Sequence, residues 1–411
     1  MASPQETQTP VLTERKLKAA VIFVVITVAL DILSVALIIP VLPNLIASFA
    51  GGISNGALIL GLFTGSWGMM QFIFSPILGS LSDRFGRRPV ILLSNLGLGL
   101  DYILMALAPN LWVLFIGRLL SGITTSTFAV ANSYIADVLP VEKRAQGFGM
   151  LGAAFGIGFV LGPALGGFLG GHDPRLPFWV AAGLSLTNFL YGLFILPESL
   201  PKSLRSPFKL RSAQPFESMA WLWRSRPLRM IASFQFIYFV VHGVFAVWVL
   251  YVGYRYNWGV TMVGGLLTMV GVGAAIVQGG IAGLCVRKFG AGRSMILGIV
   301  FGATAFLMMG FATSGWVFAV AIIPLSLWGL ARPAAQALAS ARVGPEEQGR
   351  LQGSLASITS IGNVVGPVFF TMIFAQTVAP RGDVPGMAMW VAAVLLLVGL
   401  WPAWEFRRVR I

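Results

Sequence analysis

The sequence predicts an all-α membrane protein with twelve transmembrane helices in two pseudo-symmetric six-helix bundles, and three observations predict it. Of 411 residues, 57% are apolar and only 10% charged, and the mean hydropathy is +0.84. A soluble domain carries about 25% charged residues and cannot hide this much apolar surface, so lipid is the solvent for most of the chain and an ordinary soluble enzyme is excluded. Twelve apolar stretches have the roughly 20 residues that a bilayer span needs. Finally, one internal offset relates the two halves of the chain.

The first span, 19–43, follows Arg15, Lys16 and Lys18 and so imitates a signal peptide. It is too long for a signal core and contains Asp31, so it is read as a retained span behind a short tail, 1–18. Span 2 (57–80) ends in a basic loop, and spans 3 (89–108) and 4 (111–136) flank a turn at Pro109-Asn110. Lys143 and Arg144 separate span 4 from span 5 (147–170), whose many glycines suit close helix approach. Span 6 (177–196) closes the first bundle, 19–197, and a polar, basic segment, 198–228, links it to the second bundle, 229–406.

That second bundle holds spans 229–254, 262–285, 293–312, 315–339, 350–375 and 387–405, before a tail, 407–411. Shifting the first half by 204 residues places Phe85-Gly86 on Phe289-Gly290, Glu142 on Glu346 and Gly149 on Gly353. The same shift carries Gly158, Gly162 and Pro163 onto Gly362, Gly366 and Pro367. One offset fitting separate regions marks parallel repeats, and a pathway between them at the bilayer midplane is the expected consequence.

The net charge of +14 would suggest nucleic acid if it formed a patch on a soluble domain. Instead the Lys and Arg residues crowd alternate loops, while the intervening loops hold only Arg175, Arg255 and Arg381. This asymmetry predicts a cytoplasmic-membrane protein with both termini in the cytoplasm and no nucleic-acid partner. A lone cysteine, Cys285, leaves no internal disulfide and no zinc constellation, so no metal site or cofactor is expected. His172 and His242 belong to no nucleophile or metalloprotease motif, which argues against a membrane enzyme.

Charge inside the apolar spans is scarce: Asp31, Asp101, Arg118 and Arg332. At the bilayer centre each costs at least ~2.5 kcal/mol and needs a partner, water or a function. Asp101 and Arg118 lie symmetrically about the turn at Pro109-Asn110, at equal depth, where they can pair if they face one another. Either they form a structural ion pair, or burial favours the neutral carboxyl and lets Asp101 and Asp31 carry protons. Gln71, Gln235, His242 and Gln278 either line a cavity as a substrate pathway or make hydrogen bonds between helices.

Two motifs carry a resemblance. The loop Gly79-Ser80-Leu81-Ser82-Asp83-Arg84-Phe85-Gly86-Arg87-Arg88 has the order and spacing of the signature loop of the major facilitator superfamily. The run Gly158, Gly162, Pro163, Gly166 and Gly167, with Gly149 before it, resembles the helix-5 motif of that superfamily's proton-coupled antiporters. Leu30-Asp31, Ile39-Pro40-Val41-Leu42-Pro43, Leu100-Asp101-Tyr102, Gly117-Arg118-Leu119-Leu120-Ser121-Gly122, Pro197-Glu198-Ser199 and Gln348-Gly349-Arg350 further resemble the twelve-helix tetracycline efflux pumps.

The resemblance implies the major facilitator fold and a proton-coupled antiporter that exports drug-like substrates, tetracycline first among them. It implies proton coupling at Asp31, Asp101 and Arg118, gating by the Gly79–Arg88 loop, and a substrate pathway that includes Gln71 and Gln278. The implied partners are a small-molecule drug, protons and the bilayer, with the protein working as a monomer and without cofactor; the family's substrate is a divalent-metal chelate of tetracycline, here a magnesium one. Two departures stand out: the family's helix-9 acid falls on Gly302 and its helix-8 histidine on Ala274. The competing readings are a multidrug exporter that does not carry tetracycline, an uptake symporter of the same fold, and a sensor that transports nothing.

Overall fold

A computed structural model describes residues 14–125, 127–205, 221–344, 347–379 and 382–407. Eleven of its helices are long and apolar enough to cross a membrane. In chain order they are α1 (Ala20–Phe49), α2 (Ile53–Phe85), α3 (Arg87–Ala106), α5 (Gln146–His172), α6 (Leu176–Ile195), α7 (Arg226–Tyr256), α8 (Val260–Phe289), α9 (Ala291–Phe311), α10 (Gly315–Ser340), α11 (Arg350–Thr377) and α12 (Met387–Trp404). The remaining span, α4, is the shorter helix Leu111–Thr124, continued by Thr127–Val138. The first helix ends where Thr125 leaves the helical conformation (ψ 43°), and there the Thr124 and Thr125 hydroxyls both donate to the Ser121 carbonyl.

The first span is longer than the sequence predicts. Its helix starts at Glu14, stops at Leu37, turns through Pro40, and resumes as Leu42–Phe49. Proline cannot donate into the ladder and crowds the preceding turn, which places the break there. Helix α10 breaks twice, into Gly315–Val320, Ile322–Trp328 and Ala331–Ser340. Helix α8 contains a π turn at Val277–Ile281, which brings Gln278 into an irregular stretch.

The 204-residue offset reappears as geometry. Gly86 (φ 107°) and Gly290 (φ 83°) each end one helix and begin the next in a conformation closed to other residues. A Cβ at Gly158 would lie 3.0 Å from Ile32 of α1, and one at Gly362 would lie 2.7 Å from Phe239 of α7. Gly162 likewise packs on Ala36, and Gly366 on Val240. Thus α5 lies on α1 as α11 lies on α7, backbone close to backbone. Glu346 of the aligned pair lies outside the described residues, as do 206–220 of the linker and both extreme tails.

The halves meet at the end of the molecule away from the chain termini. There the Ser54 hydroxyl donates to the Ala375 carbonyl at 2.8 Å, joining α2 to α11. The Thr261 hydroxyl donates to the Gly167 carbonyl at 3.1 Å, and a Cβ at Gly264 would lie 2.8 Å from Gly167 Cα, joining α5 to α8. At the terminus end the same four helices separate: a Cβ at Gly79, Gly149, Gly283 or Gly353 would meet nothing within 4 Å. The cleft between the halves therefore opens toward the termini and is sealed at the far end. Outward-facing Leu62, Leu93, Leu100 and Phe194, with Trp112, Trp316, Trp401 and Trp404 near helix ends, form the apolar girdle and aromatic belts that a bilayer requires.

Candidate functional site

The buried charge collects in the first half. Asp31 is 5% exposed, on α1, and Asp101 is 2% exposed, on α3. Leu93 and Leu100 form the lipid-facing stripe of α3, continued by Leu107 at its cap, and Asp101 turns from it toward α4. The two acids have different surroundings. The Asn188 amide of α6 donates to Asp31 Oδ1 at 2.9 Å and to the Thr27 carbonyl at 3.0 Å. Asn95 of α3, with its amide assigned to satisfy the network, adds donors 3.0 and 3.2 Å from the two Asp31 oxygens. Amides from two further helices thus fasten the Asp31 carboxyl.

Neither oxygen of Asp101 has a hydrogen-bond partner among the described residues. The carboxyl lies against Gly117 of α4, where a Cβ would come within 2.9 Å of Oδ1, so a larger residue at 117 would push on the acid and on Met105. Arg118, 8% exposed, is the next residue, but no ion pair joins it to Asp101 among the described residues; its guanidinium lies over the Trp67 ring at 5.1 Å. The structural ion pair open to the sequence is therefore not formed. The reason is positional: α4 directs the Arg118 side chain to α2 and presents the bare backbone of Gly117 to the acid. Tyr102, fully buried, lies within electrostatic range of Asp31, Asp101 and Arg118, making one cluster of the three.

The signature loop builds a node at the terminus end of the first half. Arg87 is its centre: Nε donates to Asp137 at 3.0 Å, Nη1 to Asp83 at 2.5 Å and to the Ser82 hydroxyl at 2.6 Å, and the backbone N–H to Glu198 at 2.8 Å. Arg88 donates to the Leu193 carbonyl at 2.6 Å, while exposed Arg84 stacks on Phe85. Sequence reasoning misses Asp137 and Glu198 as partners, because their spacing from Arg87 offers no local signal. Charge-assisted bonds of this kind lock α2, α3, α4 and the start of the linker together.

The helix-5 glycines divide their work. Gly158, Gly162 and Gly166 seat α5 on α1, Gly167 and the Pro163 carbonyl meet Gly264 of α8 across the halves, and Gly149 faces the open end. Of the four expected cavity groups, Gln235 is buried and donates to the Thr359 hydroxyl at 3.1 Å, and Gln71 donates to the Thr125 carbonyl at 3.3 Å. Gln278 and His242 are exposed. His242 nevertheless lies among rings, 4.8 Å from Phe245 and 6.0 Å from Trp328 between centroids. At Gly302 the space beside the backbone is taken by Trp328, 2.8 Å from where a Cβ would stand. Among the described residues no group of three His, Cys, Asp or Glu side chains could hold a metal ion.

Comparison with known proteins agrees with this arrangement. Residues 24–367 and 231–410 match the family model described as Major Facilitator Superfamily. The chain is 39% identical over 385 residues to the tetracycline resistance protein, class C, of Escherichia coli, covering 93% of this chain and 95% of that protein. It is 39% identical over 364 residues to the class D protein of Salmonella ordonez, covering 88% and 90%. Among solved structures, the nucleoside transporter NupG superposes with a TM-score of 0.76 at 13% identity, covering 94% of this chain and 99% of that one.

Proposed function

The chain belongs to the Major Facilitator Superfamily, and from that membership we propose that it exports tetracycline-type drugs across the cell membrane in exchange for protons. It is a transporter and not an enzyme. The basic loops and both termini are read as cytoplasmic by the positive-inside rule, so the described conformation is the one that admits substrate from the cytoplasm.

The observation that carries the proton step is Asp101, a carboxyl nearly excluded from solvent with neither oxygen bonded among the described residues. Gaining or losing a proton there changes the charge beside Arg118 and Tyr102, at the junction of α3 and α4. A change of charge in a low-dielectric site biases which packing of the helices is preferred. The moving parts are the halves themselves, which touch through small residues at the far end and through hydroxyl-to-carbonyl bonds that rocking can break. One proton moving down 100 mV releases about 2.3 kcal/mol, enough to sustain a roughly 50-fold gradient of a neutral substrate.

Growth of an efflux-deficient host carrying the gene, on tetracycline with and without a proton uncoupler, tests this reading. Resistance that the uncoupler removes supports it. Resistance unaffected by the uncoupler would contradict proton coupling, and no resistance would contradict the drug assignment.

A further inference from the structure

The second half contains one Lys or Arg well inside an apolar span, Arg332, and no acid well inside any of its spans, Glu405 lying at the very end of the last. Arg332 lies on α10, eight residues and thus ~12 Å before its terminus-side end at Ser340. Within the unbroken segment Ala331–Ser340 it shares a face with Gln336, one turn on, which hydrogen-bonds to Gln352 of α11, and it is exposed, which directs it to the cleft. Its guanidinium lies 5.5 Å from the ring centre of Phe239 on α7, and it makes no ion pair or hydrogen bond with the described residues. Arg118 differs in being buried beside an acid.

Around Arg332 the wall is aromatic. Tyr238 and Trp328 lie 4.5 Å apart between ring centroids, and His242 sits 6.0 Å from Trp328 and 4.8 Å from Phe245. The Trp328 indole N–H is buried without a hydrogen-bond partner among the described residues. Gln278, in the π turn of α8, borders the same level: a Cβ at Gly329 would stand 3.8 Å from its Cγ. A planar guanidinium presents a fork of donors that matches two adjacent anionic oxygens, and ring faces accept flat conjugated systems. The same charge repels a cationic metal complex, with no acid well inside this half's spans to offset it.

We propose that the face which α7 and α10 turn to the cleft between the halves is a subsite for the anionic, paired-oxygen edge of a planar conjugated ligand in its metal-free form, with Arg332 as the binding cation. This rests on the export reading and deepens it: the carried species is the free drug, held by its ionised diketone oxygens, and not its magnesium chelate.

The test is tetracycline binding, followed by drug fluorescence, to the purified full chain in lipid nanodiscs at one alkaline pH, with a chelator or with excess Mg²⁺. The wild-type protein binds with chelator present, and Mg²⁺ weakens that binding. Arg332→Gln weakens chelator-condition binding by about tenfold or more, as expected for losing a charge-assisted hydrogen-bond pair, and Arg332→Lys retains part of it. Tighter wild-type binding with Mg²⁺, or unaltered binding by a folded Arg332→Gln protein, would overturn the subsite alone. The wild-type comparison decides even if the Gln variant does not fold. No binding in either medium would overturn the drug assignment and the subsite together.

Discussion

The Asn188 amide on α6 donates to the Asp31 carboxylate on α1 at 2.9 Å, whereas Asp101 on α3 has no such donor among the described residues. The two intramembrane acids of this chain are therefore not equivalent. One fastens three helices, and the other is left with its oxygens unbonded.

The fastening role predicts a stability effect. Asn188→Leu leaves a buried carboxyl short of a charge-assisted donor, a loss of about 2–3 kcal/mol. Thermal unfolding of the purified variant in detergent should show a lowered midpoint, and an unchanged midpoint would show that Asn188 contributes nothing to holding Asp31.

Asp101 has no hydrogen bond to lose, so Asp101→Asn should leave the unfolding midpoint close to wild type while removing resistance. A variant that reaches the membrane in normal amount yet fails to protect cells is the expected result. Loss of the protein itself would indicate a structural role instead.

The far-end contact predicts a conformational bias. Gly264→Leu inserts a side chain where a Cβ alone would already stand 2.8 Å from Gly167 Cα. Sealing that end becomes unfavourable, so single cysteines placed there, for example at Thr261, should react faster with an impermeant thiol reagent than in the unsubstituted background. Equal reactivity would mean that this contact does not gate access.

Arg224 and Glu347 form a bidentate pair at 2.6 and 2.7 Å, joining the linker's end to the start of α11. Hydrogen bonds from Arg224 hold the Glu347 carboxyl below the usual carboxylate range. A depressed carboxyl stabilises the fold above its unfolded value, and that contribution disappears as pH falls through the folded value. The difference in unfolding midpoint between wild type and Glu347→Gln should therefore be present at neutral pH and vanish in acid. A difference that persists in acid would show that the pairing is not its source.

Much of the fold is legible in the sequence because lipid imposes strong constraints: span length, loop charge and the 204-residue offset each leave a direct trace. The offset even locates Gly86 and Gly290, whose positive φ values belong to the same turn repeated. Breaks within spans are harder to read. Pro40 marks one, but the interruption of α4 after Thr124 has no proline to announce it, and hydropathy does not register it.

The site is legible in its acids, which are conspicuous in an apolar run, and illegible in its partners. Asn95 and Asn188 are short polar residues that look ordinary until α3 and α6 bring them to Asp31. Gln235 stands at the repeat position of Asp31 and reads equally well as a cavity group, yet α11 supplies Thr359 and satisfies it. Local sequence cannot announce contacts made between helices so far apart along the chain.

The most direct test of the central claim follows proton movement itself. In inverted membrane vesicles with an acidic interior, added tetracycline should release protons in proportion to drug uptake in the wild type, and Asp101→Asn should release none while still binding drug. Proton release by Asp101→Asn equal to that of the wild type would contradict the account.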